Sequence, residues 1–571
     1  MISPFDHNTI YFAANHLFKS PDRGDSWQVL GEDLTQAIDR DDLFMFGSLP
    51  DDDAVSRHQG TAVFSNISTI DVSTLTAGLL VTGSDDGTVA VSRDEGVTWS
   101  KRTSFRGVPD TTYVSKVRWS KHSESVLYAT FDGHRSNDFR PYVLKSDDYG
   151  ESWESLSANL PDFGNVRAFT EHPRNPNVLF VGTEVAPFVS TDGGASWTRI
   201  RNGMPPAPVH DMKVHPRDNA LAIATHGRGF YLIDDLLPLE YLAEAKGSGA
   251  PFLFPIAPAL SFVPDGSRSS GTSADRNYRA PNPPVGATLS LLLPAAPGDG
   301  GATLEIVGRT GEVVRKLDVP AGGGFHHVRW NLRVDAPYSG PPARAGGQGG
   351  RGGGFGGGGF GGRGGGVQGG APAVPGTYTA RLTIPSEEGG PAVLERSLRV
   401  MKDRNVVLAD ADLEELFDIR MRQMRLNARN QIALRAADAI QEQVTQASNA
   451  MDEVSAPEPL REQARAIRRD IESVIRVLRG GGGRRGGGGG TGGGGARSVQ
   501  QRLQTAAGVH RATAMPTRQE MAALEGVPSA LGGEVARINE ILTETLPAFF
   551  NALDAAGVPW TPGRPIPAVG G

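Results

Sequence analysis

Ser190-Thr191-Asp192-Gly193-Gly194-Ala195-Ser196-Trp197 is one of four copies of the pattern Ser-x-Asp-x-Gly-x-[Ser/Thr]-Trp. The others run from Ser20 to Trp27, from Ser92 to Trp99 and from Ser146 to Trp153. An octad with five defined positions that recurs four times within about two hundred residues is an internal repeat. Its residue chemistry is that of a tight turn. The aspartates Asp22, Asp94, Asp148 and Asp192 are placed to accept backbone N–H groups, and glycine supplies a left-handed position. Trp27, Trp99, Trp153 and Trp197 are then expected to drop into seams between sheets. Apolar runs such as Val89-Ala90-Val91 and Tyr142-Val143-Leu144 enter the turns as strands.

Around the octads a longer plan repeats: a strand, a Pro/Asn-rich turn, a strand ending in Gly or Ala, a strand into the octad and a strand out. Val166–Phe169, Val178–Thr183 and Thr198–Ile200 show it most clearly. Short strands at short intervals make an all-β repeat. The octad serines are 72, 54 and 44 residues apart, which places insertions at Gln36 to Asn66 and at Phe131 to Arg140.

On these residues the octads resemble the Asp-box, or BNR repeat, of sialidases, of the sortilin ligand-binding domain and of some glycoside hydrolases. The resemblance implies β-propeller blades, with the box in a turn away from the central binding face. A fifth unit without a box spans Val209–Pro216 and Leu221–Ile233. It resembles the final blade of bacterial WD40/YVTN/BNR-like proteins described as sortilin-like or as glycosyl hydrolases. The fold class expected is therefore mainly β: residues 1–235 form an incomplete Asp-box propeller of about five blades, the C-terminal portion of a longer parent. Bare edges are expected near Asn8–Phe12 and Phe230–Ile233, to be covered by self-association or a second propeller half. Relatives of this kind are exported, which implies a periplasmic or extracellular location. Met1–Pro4 nevertheless leads straight into a strand, so this chain is read as having no signal peptide.

Beyond the blades the composition shifts. Residues 236–284 read as a linker packed on the propeller, and residues 285–404 as an immunoglobulin-like β-sandwich with a glycine-rich insertion at 346–370. From Asp410 the apolar period becomes helical. Leu413, Phe417, Met421, Met424, Ala428, Ile432, Ala436 and Ile440 are taken as one stripe, and Leu460, Ala464, Ile467, Ile471, Val474 and Leu478 as another. These make a helical hairpin over 409–479. A glycine linker at 480–497 leads to C-terminal helices at 498–562, where Thr517-Arg518-Gln519-Glu520 reads as a capping box. Arg420, Arg422, Arg425, Arg429 and Arg435 are expected on solvated helix faces.

Composition narrows the function. The formal charge of −7 and the sparse cations of the glycine tracts argue against nucleic acid. There is no cysteine, hence no disulfide, thiolate metal site or thiol nucleophile. No apolar run of about twenty residues offers a membrane span. No His-Glu-x-x-His, Gly-x-Ser-x-Gly or Walker A pattern occurs, and no metal or cofactor is expected. Polar residues on the first strands and nearby loops of the blades are the candidate ligand-facing set: Lys116, Asp132, Arg135, Asp138, Arg167, Glu184, His210, Asp211, His226 and Arg228. Two readings compete for them. One is binding of a peptide, protein or glycan ligand. The other is glycoside hydrolysis of the sialidase or xyloglucanase type, which needs two carboxylates flanking the scissile bond and has part of its site in missing blades.

Overall fold

The computed structural model describes residues 1–43, 48–49, 51–53, 55, 64–201, 203–262, 285–297, 301–337, 369–385, 390–480, 497–510 and 514–565. The two glycine tracts, apart from Gly369, Gly370 and Gly480, lie outside the described residues. The chain divides into two compact units, the first centred on residues 1–255 and the second on the remainder.

Five antiparallel meanders follow one another in the first unit. Blade 1 has β1 (Ile10–Ala13), β2 (Leu17–Ser20) and β3 (Gln28–Leu30). Blade 2 has β4 (Ile67–Val72), β5 (Leu80–Ser84), β6 (Val89–Ser92) and β7 (Ser100–Arg102). Blade 3 has β8 (Tyr113–Trp119), β9 (Leu127–Asp132), β10 (Tyr142–Ser146) and β11 (Glu154–Ser155). Blade 4 has β12 (Val166–Glu171), β13 (Leu179–Thr183), β14 (Pro187–Ser190) and β15 (Thr198–Arg199), and blade 5 has β16 (Val209–His215), β17 (Ala220–Thr225) and β18 (Phe230–Ile233). Consecutive sheets meet through their first strands, β4 with β8, β8 with β12 and β12 with β16. This is the stacking of propeller blades. A separate apolar cluster fills each junction: Leu17, Leu30 and Leu80 between blades 1 and 2, Val81, Val117 and Phe131 between 2 and 3, Val143, Phe169 and Val181 between 3 and 4, and Phe180, Met212 and Ile223 between 4 and 5. The blades approach closely where small residues allow it. A Cβ on Gly83 would lie 2.4 Å from Val114, and one on Gly182 would lie 2.4 Å from Val209.

The four boxes fold alike. Each serine accepts a hydrogen bond from the glycine N–H, as in Gly24 N to Ser20 Oγ at 2.7 Å and Gly150 N to Ser146 Oγ at 2.8 Å. Each aspartate accepts from the backbone N–H and the hydroxyl of the Ser or Thr four residues on. Hydrogen bonds from Ser26 and Ser152 hold the Asp22 and Asp148 carboxyls down at about 2. The residue before the glycine is left-handed in every box, at φ 62° in Arg23, 61° in Glu95, 61° in Tyr149 and 70° in Gly193.

Burial of the box tryptophans depends on the preceding blade. Trp197 is 4% exposed and donates to Leu156 O of blade 3 at 2.8 Å, while Trp99 covers Gly31 at the end of blade 1. Trp27 has no earlier blade among the described residues to enter and is 46% exposed, which corrects the expectation of four buried tryptophans. The expected bare edge at Asn8–Phe12 is also corrected. Met1 and Ser3 fold back along β1, with Tyr11 N donating to Met1 O at 2.7 Å and Ser3 N to Thr9 O at 2.9 Å. They occupy the place of a first strand. β18 pairs with β17 alone among the described strands, and no strand pairing joins blade 5 to blade 1.

The segment expected as a linker begins with two short helices, α1 (Leu237–Glu240) and α2 (Leu242–Ser248). Leu236 and Leu239 pack into the cluster between blades 4 and 5, and Glu240 receives Arg174 Nη2 at 2.6 Å and Asn219 Nδ2 at 2.5 Å. These contacts fasten the chain as it leaves the blades. Next come β19 (Phe252–Leu253), β20 (Ala259–Ser261), β21 (Ala287–Leu293), β22 (Thr303–Val307), β23 (Val313–Asp318), β24 (Gly324–Trp330), β25 (Gly376–Ile384) and β26 (Ala392–Lys402). In the second unit β20, β26, β25, β22 and β23 form one sheet in that order, with β20 parallel to β26 at its edge.

Helices α3 (Asp410–Glu453), α4 (Glu458–Arg479), α5 (Val499–Ala506), α6 (Arg518–Glu525), α7 (Val527–Glu540) and α8 (Leu546–Ala555) share one core. The α4 stripe from Ala464 to Leu478 is buried as its spacing predicts. The α3 stripe is met only in part: Ala428 and Ile440 are buried as expected, but Leu416, Gln423, Leu426, Asn430, Ala433 and Leu434 fill the rest of the inner face, and Ile432 is exposed. Two amides, Gln423 and Asn430, lie on the inner face, so an apolar count misplaces part of the stripe. Arg420 is likewise not a solvated arginine. It is half-buried and donates from Nε to Val509 O at 2.8 Å. Thr517 and Glu520 do form the capping box that starts α6.

Candidate functional site at the blade axis

Each of β4, β8, β12 and β16 carries a β-bulge at the same register, and the extra residue is Ser68, Ser115, Arg167 and His210 in turn. A bulge re-aims one side chain out of the ladder. In blades 2 and 3 the bulged residue ties the stack together: Ser68 Oγ donates to Val114 O at 2.7 Å, and Ser115 Oγ to Val166 O at 2.6 Å. In blades 4 and 5 the same position carries chemistry. Arg167 Nε donates to Glu184 Oε2 at 2.7 Å, and its Nη2 lies 3.4 Å from Asp132 Oδ2 of blade 3. Asp132 also binds His134 Nδ1 at 2.7 Å. His210 stacks on His226, with ring centroids 5.1 Å apart and 14° between planes. Burial lowers the His210 pKa, and Arg167 and His226 lower it further, which favours the neutral ring.

One residue further along each first strand lies a second layer. Lys116 Nζ of blade 3 stands 3.6 Å from Asp211 Oδ1 of blade 5. Blade 4 lies between them in the stack, so the first strands turn around a common axis. Burial pulls the Lys116 pKa down, Arg118 adds to this, and Asp211 opposes it. Asp211 Oδ1 is buried, and no hydrogen bond satisfies it among the described residues. Deeper still, Asp71 accepts from Trp119 N at 2.8 Å and faces Arg118 Nη1 at 3.7 Å. Burial raises the Asp71 pKa against the pull of Arg118. An open hollow of about 360 Å³ beside this layer is lined by Met1, Phe12, Ser68, Ile70, Lys116 and Arg118.

Seven of the ten candidates thus meet around the axis: Lys116, Asp132, Arg167, Glu184, His210, Asp211 and His226. The other three do different work. Asp138 is held by Arg140 at 2.8 and 2.9 Å and by Tyr142 Oη at 2.6 Å, and the Arg140 contact leads in drawing its carboxyl down to about 2. Arg135 lies over the Tyr113 ring at 5.2 Å, and Arg228 sits in the exposed turn between β17 and β18. Asp71, Arg118 and the bulged serines were absent from the candidate set. Aligning the first strands on Ile70, Val117, Phe169 and Met212 would have exposed the serines, because each bulged residue lies two positions before an apolar one. Among the described residues no group of three or more His, Asp or Glu is arranged to hold a metal ion, and no helix is long and apolar enough to cross a membrane.

No protein-family model and no curated protein matches this sequence. Solved structures do show likeness. The GH74 xyloglucanase of Xanthomonas campestris is 17% identical, with a TM-score of 0.31 over 41% of this chain and 36% of that one. An ancestral GH74 enzyme is 13% identical, with a TM-score of 0.30 over 59% and 39%. The β-propeller domain of Myceliophteria thermophila Cps50 (Swd1) is 10% identical, with a TM-score of 0.27 over 39% and 61%. The chain spans well under half the length of both GH74 enzymes. These likenesses are too loose to locate a site.

Proposed function

We propose that the first unit is a ligand-binding propeller of the sortilin-like kind, which takes a peptide, protein or glycan at the axial face between blades 3, 4 and 5. One observation carries the reading: the carboxylates that converge on the axis are matched by cations of the chain itself. Asp132 and Glu184 share Arg167, Asp211 faces Lys116, and Asp71 faces Arg118. A glycosidase needs one carboxyl held as an acid and a second that faces the sugar across a gap. Here the guanidinium fills the space between the nearest pair. A mixed field of partly exposed ion pairs, with an unsatisfied acceptor on Asp211, suits a polar ligand that exchanges hydrogen bonds with it. The box sequence supports the sortilin-like assignment, and with it an extracytoplasmic location.

Peptide and oligosaccharide arrays, followed by calorimetry on hits, test this. Arg167→Ala and Asp211→Asn should each weaken binding at least tenfold, about 1.4 kcal/mol, with unchanged circular dichroism. Turnover of an oligosaccharide that is lost in Glu184→Gln or Asp132→Asn would replace binding by glycoside hydrolysis.

A further inference from the structure

At the far end of β12 from Arg167 the strand runs into His172, whose side chain is wholly buried. His122 Nε2 of blade 3 donates to His172 O at 2.8 Å. Arg174 N donates to His172 Nδ1 at 3.2 Å, and a neutral ring that accepts at one nitrogen carries its proton on the other. Nε2–H therefore donates to Asn219 Oδ1 of blade 5 at 2.8 Å. That bond orients the Asn219 amide, whose Nδ2 donates to Glu240 Oε1 of α1 at 2.5 Å. Arg174 and Asn175, in the turn that His172 begins, reach the same residue: Arg174 Nη2 lies 2.6 Å from Oε1, and Asn175 Nδ2 lies 2.7 Å from the main-chain oxygen. Leu236 N donates to Asn219 O at 3.0 Å, and the Leu236 side chain is fully buried between blades 4 and 5. One histidine thus sets the orientation of the groups that hold the α1–α2 strap.

We infer that His172 is an acid-sensitive latch: its neutral ring fastens the strap to blades 4 and 5, and a proton on Nδ1 releases it. That proton would point at Arg174 N–H, donor against donor, so the turn from His172 to Asn175 must open. Arg174 and Asn175 then leave Glu240, and Leu236 and Leu239 lose their anchor. The groups around the ring pull in both directions. Burial is the largest influence and disfavours the imidazolium; the Asn219 bond and Glu240, 3.6 Å away, favour it, and Arg174 and Lys121 oppose it. The net direction is down from the ordinary 6.5. Glu171 is turned to Ser120, Lys121 N and Tyr128 of blade 3, while His215 and Asp218 of blade 5 face each other at 3.4 Å. Because the folded value is the lower one, the latch contributes in full above about pH 6.5 and is lost as pH falls through the lowered value. Release of a packed element by a buried histidine is a local charge event with a wider readout. The latch is independent of what the axial face binds.

Amide hydrogen exchange on the full chain, corrected for the pH dependence of intrinsic exchange, tests this. The amides of Leu236, Leu239, Glu240 and Ala245 are hydrogen-bonded and report on the strap. Between roughly pH 7.5 and roughly pH 4.5 they should lose protection about tenfold or more, while β13 keeps its own. His172→Gln retains a donor toward Asn219, and His172→Asn retains an acceptor for Arg174 N. Neither side chain takes up a proton in this range, so both variants should lose the acid step, and either one decides the matter if the other does not fold. A strap equally protected at both pH values overturns the inference. So does an acid step that persists in the uncharged variants, which titration of Glu240 alone would give, or one that β13 shares, which would be unfolding of the stack.

Discussion

Two tryptophans in identical octads have different energetic weight. Trp197 is wedged against Leu156, and Asn159 Oδ1 and Nδ2 clamp its main-chain N–H and C=O. Trp27 rests on the surface beside Phe12. Truncating a buried tryptophan costs about 3–5 kcal/mol. A half-exposed one should cost nearer 1 kcal/mol or less. Urea unfolding of Trp197→Ala and Trp27→Ala should therefore separate the pair by about 2 kcal/mol or more, and equal losses would show that the turn itself sets the energy. The octad told the sequence reader that a tryptophan wedges, because Ser, Asp and Gly constrain the turn locally. It could not tell which tryptophan has something to wedge into, since that depends on the blade before it.

At the scale of elements the legible and illegible parts divide along the same line. The order of strands and the two long helices follow from local alternation and spacing. The phase of α3 does not, because Gln423 and Asn430 are buried where an apolar residue would be expected. Gln423 has a reason to be inside: Nε2 donates to Leu503 O at 3.2 Å, and His510 Nε2 lies 2.9 Å from Oε1. Burial, with Arg420 and Arg333 nearby, takes the His510 imidazole down to about 4 from an ordinary value near 6.5. The unfolded chain then binds a proton that the folded bundle refuses. The stabilising contribution is whole above about pH 6.5 and is lost as pH falls toward 4. Thermal melts of the chain should show the helical signal weakening across that window, and His510→Gln should flatten the dependence. At the axis, Arg167 and Glu184 share a blade and were open to a reader of one repeat. Lys116 and Asp211 belong to blades 3 and 5, and no spacing along the chain announces their meeting.

Across the first unit, stability is a nearest-neighbour quantity. Each cluster joins one blade to the next, so among the described residues blades 2 to 4 are packed on both faces and blades 1 and 5 on one. Local opening follows the number of packed faces. Amide exchange should thus release β1 to β3 and β18 well before β9 and β13, and uniform protection over all five blades would contradict the picture. The Lys116–Asp211 bridge adds a property of its own. Because it skips a blade, its length depends on the wedge angle of blade 4, as a chord depends on its arc. That angle rests on Gly182, where an added methyl group would push Val209 and the fifth blade outward. The bridge is in effect a strain gauge built across the stack: Gly182→Ala, far from any charged group in chemical character, would be read out as a broken ion pair.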